Sequence, residues 1–448
     1  MADASPQAAG ASASGAAPGL YRPGARAWFV LGVLCFVYVL NFLDRQLLSI
    51  LAKPIQDDLG VSDGQIGLIT GLYFALFYCT ISIPVGWLAD RTNRVKLVAI
   101  ACGLWSAATI ACGVSSSYPQ LVVGRMAVGV GEAGGVPPSY AIISDYFGPG
   151  TRGTALGLFN LGPAIGQMLG VAFGASIAAA FDWRSAFVAV GAVGVATAVL
   201  VFFTLREPPR GGLDRAADAA PEAPQIRESF WTTCRLFFAR PVLRLTALAG
   251  GATQFVTYAL LNFATLFLMR EKGMTLQEVA LWYALVIGIA GGGGIFAAGR
   301  LADWLVPKTK RAYAWLPAAS LTLAVPFYVA FVWAPTWQLS LLFLTVPMFL
   351  NYFYLSPSVA LVQEEVKPHQ RVLSGALLLL VMNLIGLGLG PTYLGAVSDW
   401  LKAGYPDNSL QMALYTLVPF YLLAVVLYLI LGRALGREEK LARAGATA

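Results

Sequence analysis

From Ala25 onward the chain alternates between long apolar runs and short polar breaks. Twelve runs stand out, over 26–51, 65–89, 95–115, 119–146, 153–180, 184–205, 242–269, 276–302, 311–333, 336–363, 371–400 and 410–432. Each approaches or exceeds the roughly 20 residues that carry a helix across the apolar core of a bilayer. The runs are too long for strands and lack the alternation of a membrane barrel. A helix closes its own backbone hydrogen bonds, so it is the remaining way through lipid. The pattern predicts an all-α membrane protein with twelve transmembrane helices.

Composition agrees. Of the 448 residues, 58% are hydrophobic and 12% charged, and mean hydropathy is +0.68. A soluble domain carries about 25% charge, so a water-soluble enzyme is excluded. A disordered chain is excluded too, because disorder needs low hydrophobicity. The net charge of +7 raises the question of nucleic acid, but the positions of the cations answer it. With the N-terminus cytoplasmic, 23 of the 30 lysines and arginines fall on the cytoplasmic side and five outside. That bias predicts both termini in the cytoplasm of a multi-pass cell-membrane protein. The basic charge then faces anionic headgroups, and no nucleic-acid partner is expected. Residues 1–24, rich in Ala, Gly, Ser and Pro, are read as a flexible cytoplasmic tail, because no basic segment precedes an early apolar core. Five cysteines without metal-like spacing predict no disulfide framework.

The longest internal polar stretch, 206–241, contains Pro208, Pro209, Pro221 and Pro224 and follows the sixth run. It reads as a cytoplasmic linker between one half, 25–205, and another, 242–432, with 433–448 as a cytoplasmic tail. A repeat supports this division. Gly86-Trp-Leu-Ala-Asp90 after span two matches Gly299-Arg-Leu-Ala-Asp303 after span eight, and Leu161-Gly-Pro163 matches Leu389-Gly-Pro391. Two pseudo-symmetric six-helix halves with a site between them near the midplane form a common transporter architecture.

The stretch Gly86-Trp-Leu-Ala-Asp90-Arg91-Thr-Asn-Arg94 resembles the loop signature of the major facilitator superfamily, with Asn93 in place of the usual second glycine. Four further segments resemble the spinster branch. They are Asn41-Phe-Leu-Asp44-Arg45, Gly124-Arg125-Met-Ala-Val-Gly129-Val-Gly131-Glu132, Arg206-Glu-Pro-Pro-Arg210 and Gly390-Pro391-Thr-Tyr-Leu-Gly395-Ala-Val-Ser-Asp399. The likeness runs from about residue 26 to near the end. It implies alternating access and an amphiphilic cargo of lysophospholipid or sphingolipid type. It also implies a cytoplasmic gate of Gly86, Asp90, Arg91, Arg94, Asp145 and Asp303. In that gate Asp90 caps span eleven, Arg94 pairs with Asp145, and Asp303 is a weaker counterpart of Asp90. Gly162-Pro163-Ala-Ile-Gly166-Gln-Met-Leu-Gly170 resembles the span-five motif of antiporters.

Four ionisable groups lie well inside spans: Asp44, Arg45, Arg125 and Glu132. Each costs several kcal/mol in hydrocarbon unless paired or hydrated. Arg125 and Glu132 share a face of span four, two turns apart. Asp44 and Arg45 point about 100° apart, so either one faces the central cavity while the other turns toward a neighbouring helix. The expected use is proton coupling, with Asp44 as the primary proton site and the others as partners or gate. A structural ion-pair cluster is the competing reading. Span seven offers Gln254, Tyr258 and Asn262 on one face, four residues apart. With Asn41, Tyr73, Asn160, Tyr352 and Asn383 they form the expected substrate wall.

Other motifs fall away. Gly129-Val-Gly131-Glu-Ala-Gly134 matches G-x-G-x-x-G but lies inside an apolar span instead of after a strand. No Walker loop, G-x-S-x-G or H-E-x-x-H is present, and His369 is the one histidine. The chain is therefore expected to be no enzyme, to hold no cofactor or metal, and to work as a monomer with protons as coupling ion. Two alternatives remain open at this point. One is a proton-coupled transporter of aromatic or other organic acids; the other is a membrane receptor or lipid-binding scaffold that transports nothing.

Overall fold

The computed structural model describes residues 23–89, 91–148, 151–210, 230–367 and 370–446. Among them there are helices and turns and no strand. Eleven helices are long and apolar enough to cross a membrane. They are α1 Ala25–Ile50, α2 Asp63–Ala89, α3 Arg94–Gly113, α5 Arg152–Ala180, α6 Trp183–Thr204, α7 Pro241–Arg270, α8 Leu276–Leu305, α9 Ala312–Trp333, α10 Trp337–Glu365, α11 Leu373–Leu401 and α12 Ser409–Lys440. The fourth predicted span, α4, is broken into Tyr118–Glu132 and Val136–Tyr146. The break falls at Gly134-Gly135, followed by Pro137-Pro138. Glycine weakens a helix interior, and proline suits a helix start because it brings no N–H to satisfy. Twelve crossings leave both described ends on one side of the bundle, here the terminal side; the other is the distal side.

The two halves share a local grammar more detailed than the matched motifs. At the distal turns, Gly60 and Gly273 adopt left-handed backbone at φ 64° and 73°. They stand in equivalent places, and each is followed by a capping box, Ser62 with Gln65 and Thr275 with Glu278. Such a box satisfies orphan N–H groups at a helix start. Each glycine is also preceded by a carboxylate that ties down the last span of its own half. Asp58 accepts from Trp183 Nε1 at 3.2 Å and from Arg184 at 2.6 Å, at the start of α6. Glu271 accepts the backbone N–H groups of Leu410 and Gln411 at 2.9 Å, at the start of α12. The Arg184 bond holds the exposed Asp58 carboxyl below its usual range, whereas burial pushes Glu271 up.

The outer surface is apolar. Trp28, Trp87, Trp304 and Trp315 are exposed toward the terminal side, and Trp333 and Trp400 toward the distal side. Aromatic residues at both ends of an apolar girdle mark the membrane interfaces. The described part of the predicted linker is not wholly irregular, since Phe230–Ala239 form a short helix. The last helix runs on to Ala446, so the predicted tail from 433 continues α12. Residues 1–22 of the predicted N-terminal tail and 211–229 of the linker lie outside the described residues.

The halves join along α2 and α11 on the distal side. Gly67 packs against the Pro391 carbonyl, and a Cβ on Gly71 would sit 2.7 Å from the Gly388 oxygen. Only glycine allows this approach, which places the Thr392 hydroxyl 3.1 Å from the Leu72 N–H. Among the described residues, the hydrogen bonds and ion pairs joining the halves lie on the distal side or near the midplane.

Candidate functional site

The four intramembrane charges meet because α4 packs tightly on its neighbours. A Cβ on Gly131 would lie 2.6 Å from the Trp105 nitrogen, and one on Gly129 2.9 Å from the Phe74 oxygen. The G-x-G-x-x-G stretch is thus a packing surface that brings Arg125 and Glu132 against α1. The ions pair crosswise. Arg45 Nε donates to Glu132 Oε2 at 2.5 Å, and Arg125 lies 3.6 Å from Asp44 Oδ2. The second distance is too long for a hydrogen bond. Asp44 Oδ1 instead accepts from Thr109 of α3 at 2.9 Å. Asp44 Oδ2 and Glu132 Oε1 have no hydrogen-bond partner among the described residues.

Of the two orientations left open by helix geometry, the structure takes one. Asp44 turns into the α1–α3–α4 packing, with its side chain 2% exposed. Arg45, 13% exposed, turns to the seam between the halves. Its guanidinium is ringed by Phe42, Phe74 and Tyr78 at 4.9, 5.1 and 4.8 Å from the ring centres. Such cation–π contacts partly replace lost hydration.

Across the seam, Tyr258 lies within electrostatic reach of Arg45 and packs on the cores of both halves. Tyr258 is also the repeat counterpart of Arg45, at the spacing of 213 residues seen directly between Ser49 and Asn262. By the same spacing Asn41 corresponds to Gln254. The stripe of α7 is therefore the counterpart of a stripe on α1. At its distal end the two stripes touch, where Ser49 Oγ donates to Asn262 Oδ1 at 2.5 Å.

The other expected wall residues divide. Asn41 is buried beside a small cavity lined by Tyr38, Trp105, Ser139 and Phe159, and its amide finds no partner there. Gln254 is buried against Gly386 of α11. Tyr352, in a 3₁₀ turn of α10, donates to Gln167 of α5 at 3.4 Å across the seam. Tyr73 and Asn383 are half-buried. Asn160 is exposed on the terminal side and accepts from Tyr140.

In this distally closed structure the expected gate residues are placed as follows. Arg94 reaches Asp145, in its own half, at 2.7 Å and Glu207, at the start of the linker, at 2.6 Å. The cluster braces α3, α4 and the segment after α6 while the distal side is closed. Arg91 is exposed and stacks on Trp87 at 4.1 Å. Among the described residues, nothing approaches within 4 Å of where a Cβ on Gly86 would stand. Asp303 is exposed, and Asp90 lies outside the described residues. The glycines of the span-five motif are likewise internal to one half, with Gly166 and Gly170 packed on the Val39 and Leu43 carbonyls of α1.

The polar clasp between the halves is distal and was not anticipated. Asp63, at the start of α2, accepts from both Arg270 terminal nitrogens at 2.7 and 2.9 Å and from Ser398 at 2.6 Å. Asp399 of α11 in turn accepts the N–H groups of Asp63 and Gly64 at 3.1 and 2.7 Å. A carboxylate there also meets the positive end of the helix dipole. The sequence signal was Ser-Asp-Gly-Gln at a helix start, but its partners stand 207 and 335 residues away.

Twelve crossings in two related halves, closed on one side over an intramembrane charge cluster, define a secondary transporter of small molecules that works by alternating access. The model of the Major Facilitator Superfamily matches residues 34–391, and the chain belongs to that superfamily, in its spinster-like branch. It is 33% identical over 394 residues to an MFS-type efflux pump of Mycolicibacterium smegmatis, covering 88% of this chain and 89% of the relative. It is 27% identical to the human protein spinster homolog 1, covering 86% of this chain and 76% of that one. Among solved structures, a bacterial homolog to the human lysosomal transporter spinster, inward-facing and unoccupied, matches with a TM-score of 0.85. That match has 30% identity and covers 92% of this chain and 98% of the other.

Proposed function

We propose that the protein moves a small amphiphile of lysophospholipid or sphingolipid type across the membrane by proton-coupled alternating access, with both termini cytoplasmic. One observation carries the reading: Arg45 stands at the seam, paired with Glu132 on one side and facing the neutral wall of Tyr258 on the other. An anionic headgroup reaching Arg45 competes with Glu132. The displaced Glu132, in low-dielectric surroundings and with no other partner, then becomes a second protonatable carboxylate beside Asp44. Asp44 is the primary proton site, because its second oxygen is free and Arg125 stands off at 3.6 Å. Protonation of Asp44 releases Arg125, and re-pairing expels the proton. The apolar and aromatic lining of the seam suits an acyl tail. Closure on the distal side corresponds to an inward-facing state under the positive-inside orientation. The relatives named as an efflux pump and as a lysosomal transporter support movement of a small molecule across a membrane.

The test is flux in proteoliposomes with and without a pH gradient, using lysophosphatidylcholine, a phosphorylated sphingoid base and benzoate. Gradient-dependent lysolipid flux that Asp44→Asn abolishes is the expected result. Undiminished flux in Asp44→Asn overturns the proton site. Competition by benzoate but not by lysolipid transfers the site to organic acids, and no saturable flux of any kind returns the receptor reading.

A further inference from the structure

A second polar site lies outside the seam, at the terminal end of the second half. The helix Phe230–Ala239 is anchored to the bundle by Phe237, 1% exposed, and by Thr233, 4% exposed. Its other faces present Trp231 at 77% and Phe238 at 43% exposure, seven residues apart and so on one side of the helix, with Arg235 between them. An amphipathic helix with exposed aromatics and an interspersed cation lies in the plane of a membrane interface.

Where this helix meets the start of α7, the end of α10 and the start of α11, a cavity opens. It is lined by Thr233, Phe237, Arg240, Lys367, Gln370 and Ser374. Ser374 is 1% exposed, and neither its hydroxyl nor that of Thr233 forms a hydrogen bond among the described residues. Buried hydroxyls normally find partners. Thr233 and Ser374 both line this one cavity, with Arg240 and Lys367 beside them.

The charges around the cavity point to an anion. Arg240 gives one N–H to the Glu365 carbonyl and keeps the rest of its guanidinium. Lys367 is exposed. The nearby carboxylates are largely engaged: Glu365 pairs with Lys310, and Glu364 accepts from Tyr313. Glu438 lies within electrostatic reach of Arg240.

We propose that this cavity binds the phosphate of an anionic glycerophospholipid drawn from the adjoining leaflet. The phosphate oxygens accept from Arg240, Lys367, Thr233 and Ser374, and the acyl chains pass under the apolar face of the Trp231–Phe238 helix. Basic pockets between helices at a membrane face hold such headgroups. The site is built from the linker helix and the second half, so the lipid steadies their junction without competing for the seam.

The experiment uses the full chain in detergent, titrated with dihexanoyl-phosphatidylglycerol, dihexanoyl-phosphatidylcholine or inorganic phosphate, and followed by thermal unfolding. The phosphatidylglycerol should raise the midpoint at concentrations where the other two do not. Lys367→Gln should weaken its binding about fivefold, the worth of one cation near an anionic surface. Arg240→Gln with Lys367→Gln should weaken it roughly tenfold or more. Thr233→Val with Ser374→Ala should also weaken it and leave the unliganded midpoint unchanged, because neither hydroxyl has a partner to lose. In bilayers of brominated phosphatidylglycerol, Trp231→Phe should remove a quenched component. If the Arg240 double variant fails to fold, Lys367→Gln and the hydroxyl pair decide. Equal binding by wild type and variants, or by phosphatidylcholine, overturns the site. Phosphate binding as tightly as the lipid overturns the lipid assignment.

Discussion

The first and second halves follow one plan at their turns and diverge in their membrane interiors. Both place a left-handed glycine, a capping box and a tethering carboxylate at the same stations. Yet the stripe facing the seam reads Asn41, Arg45, Ser49 in one half and Gln254, Tyr258, Asn262 in the other. Among the described residues, the ion pairs deep inside the spans lie in the first half. Features that fix the fold are shared, and those suited to moving charge are not. A static scaffold has no need of this difference, since a buried ion pair contributes little over apolar packing of the same volume.

The comparison breaks most readily at position 45 and its counterpart. Arg45→Ala leaves Glu132 buried and unpaired, which should cost about 3–5 kcal/mol, and it should stop transport. Tyr258→Phe should cost about 1 kcal/mol or less and change apparent substrate affinity more than turnover. Unfolding curves and flux on both variants measure the contrast. Similar losses at the two positions would mean the halves share the work.

A smaller effect is expected at the clasp. Asp63→Asn removes the bidentate Arg270 contact and should shift the population toward a distally open form by about tenfold, an ordinary size for a coupled two-state equilibrium. A cysteine at Tyr73 would then label faster from the distal side. Unchanged labelling would show that the glycine contacts of α2 and α11, and not the ions, hold that side shut.

The smallest contrast concerns the tethers. Glu271→Ala exposes two N–H groups of α12 and should cost about 1 kcal/mol. The exposed Asp58→Ala should barely move the midpoint. The Asp58 carboxyl titrates below its usual range in the folded chain, so its small contribution is present above the unfolded value and fades as pH falls through the lowered one. A midpoint comparison at neutral and acidic pH reads both variants.

The spans were legible because hydropathy reports lipid contact directly. The α4 break was signalled by Gly134-Gly135 and Pro137-Pro138, yet mean hydropathy carried the span through it. The four charges were found because charge in a membrane helix is rare. Their crosswise pairing was not, because it depends on how closely Gly129 and Gly131 let α4 approach. The stripe on α7 showed as a period of four, but its counterpart on α1 is hidden among apolar neighbours and differs in every residue. The Asp63 clasp was invisible because a contact between halves leaves no local pattern. The Arg94–Asp145 pair, carried by a motif, was placed correctly as a contact, although both members belong to one half.

The Ser49–Asn262 bond joins two equivalent positions of the repeat, so it lies close to the axis relating the halves. In a homodimer, a residue on the two-fold must tolerate its own copy. Two serines would satisfy that rule here, but an arginine one turn below would meet a second arginine across a thin, dry gap. Joining the copies in one chain removes the requirement. The fused polypeptide can set Arg45 opposite a tyrosine and a serine opposite an asparagine, and so carry a polarity across its own axis that no pair of identical subunits could hold.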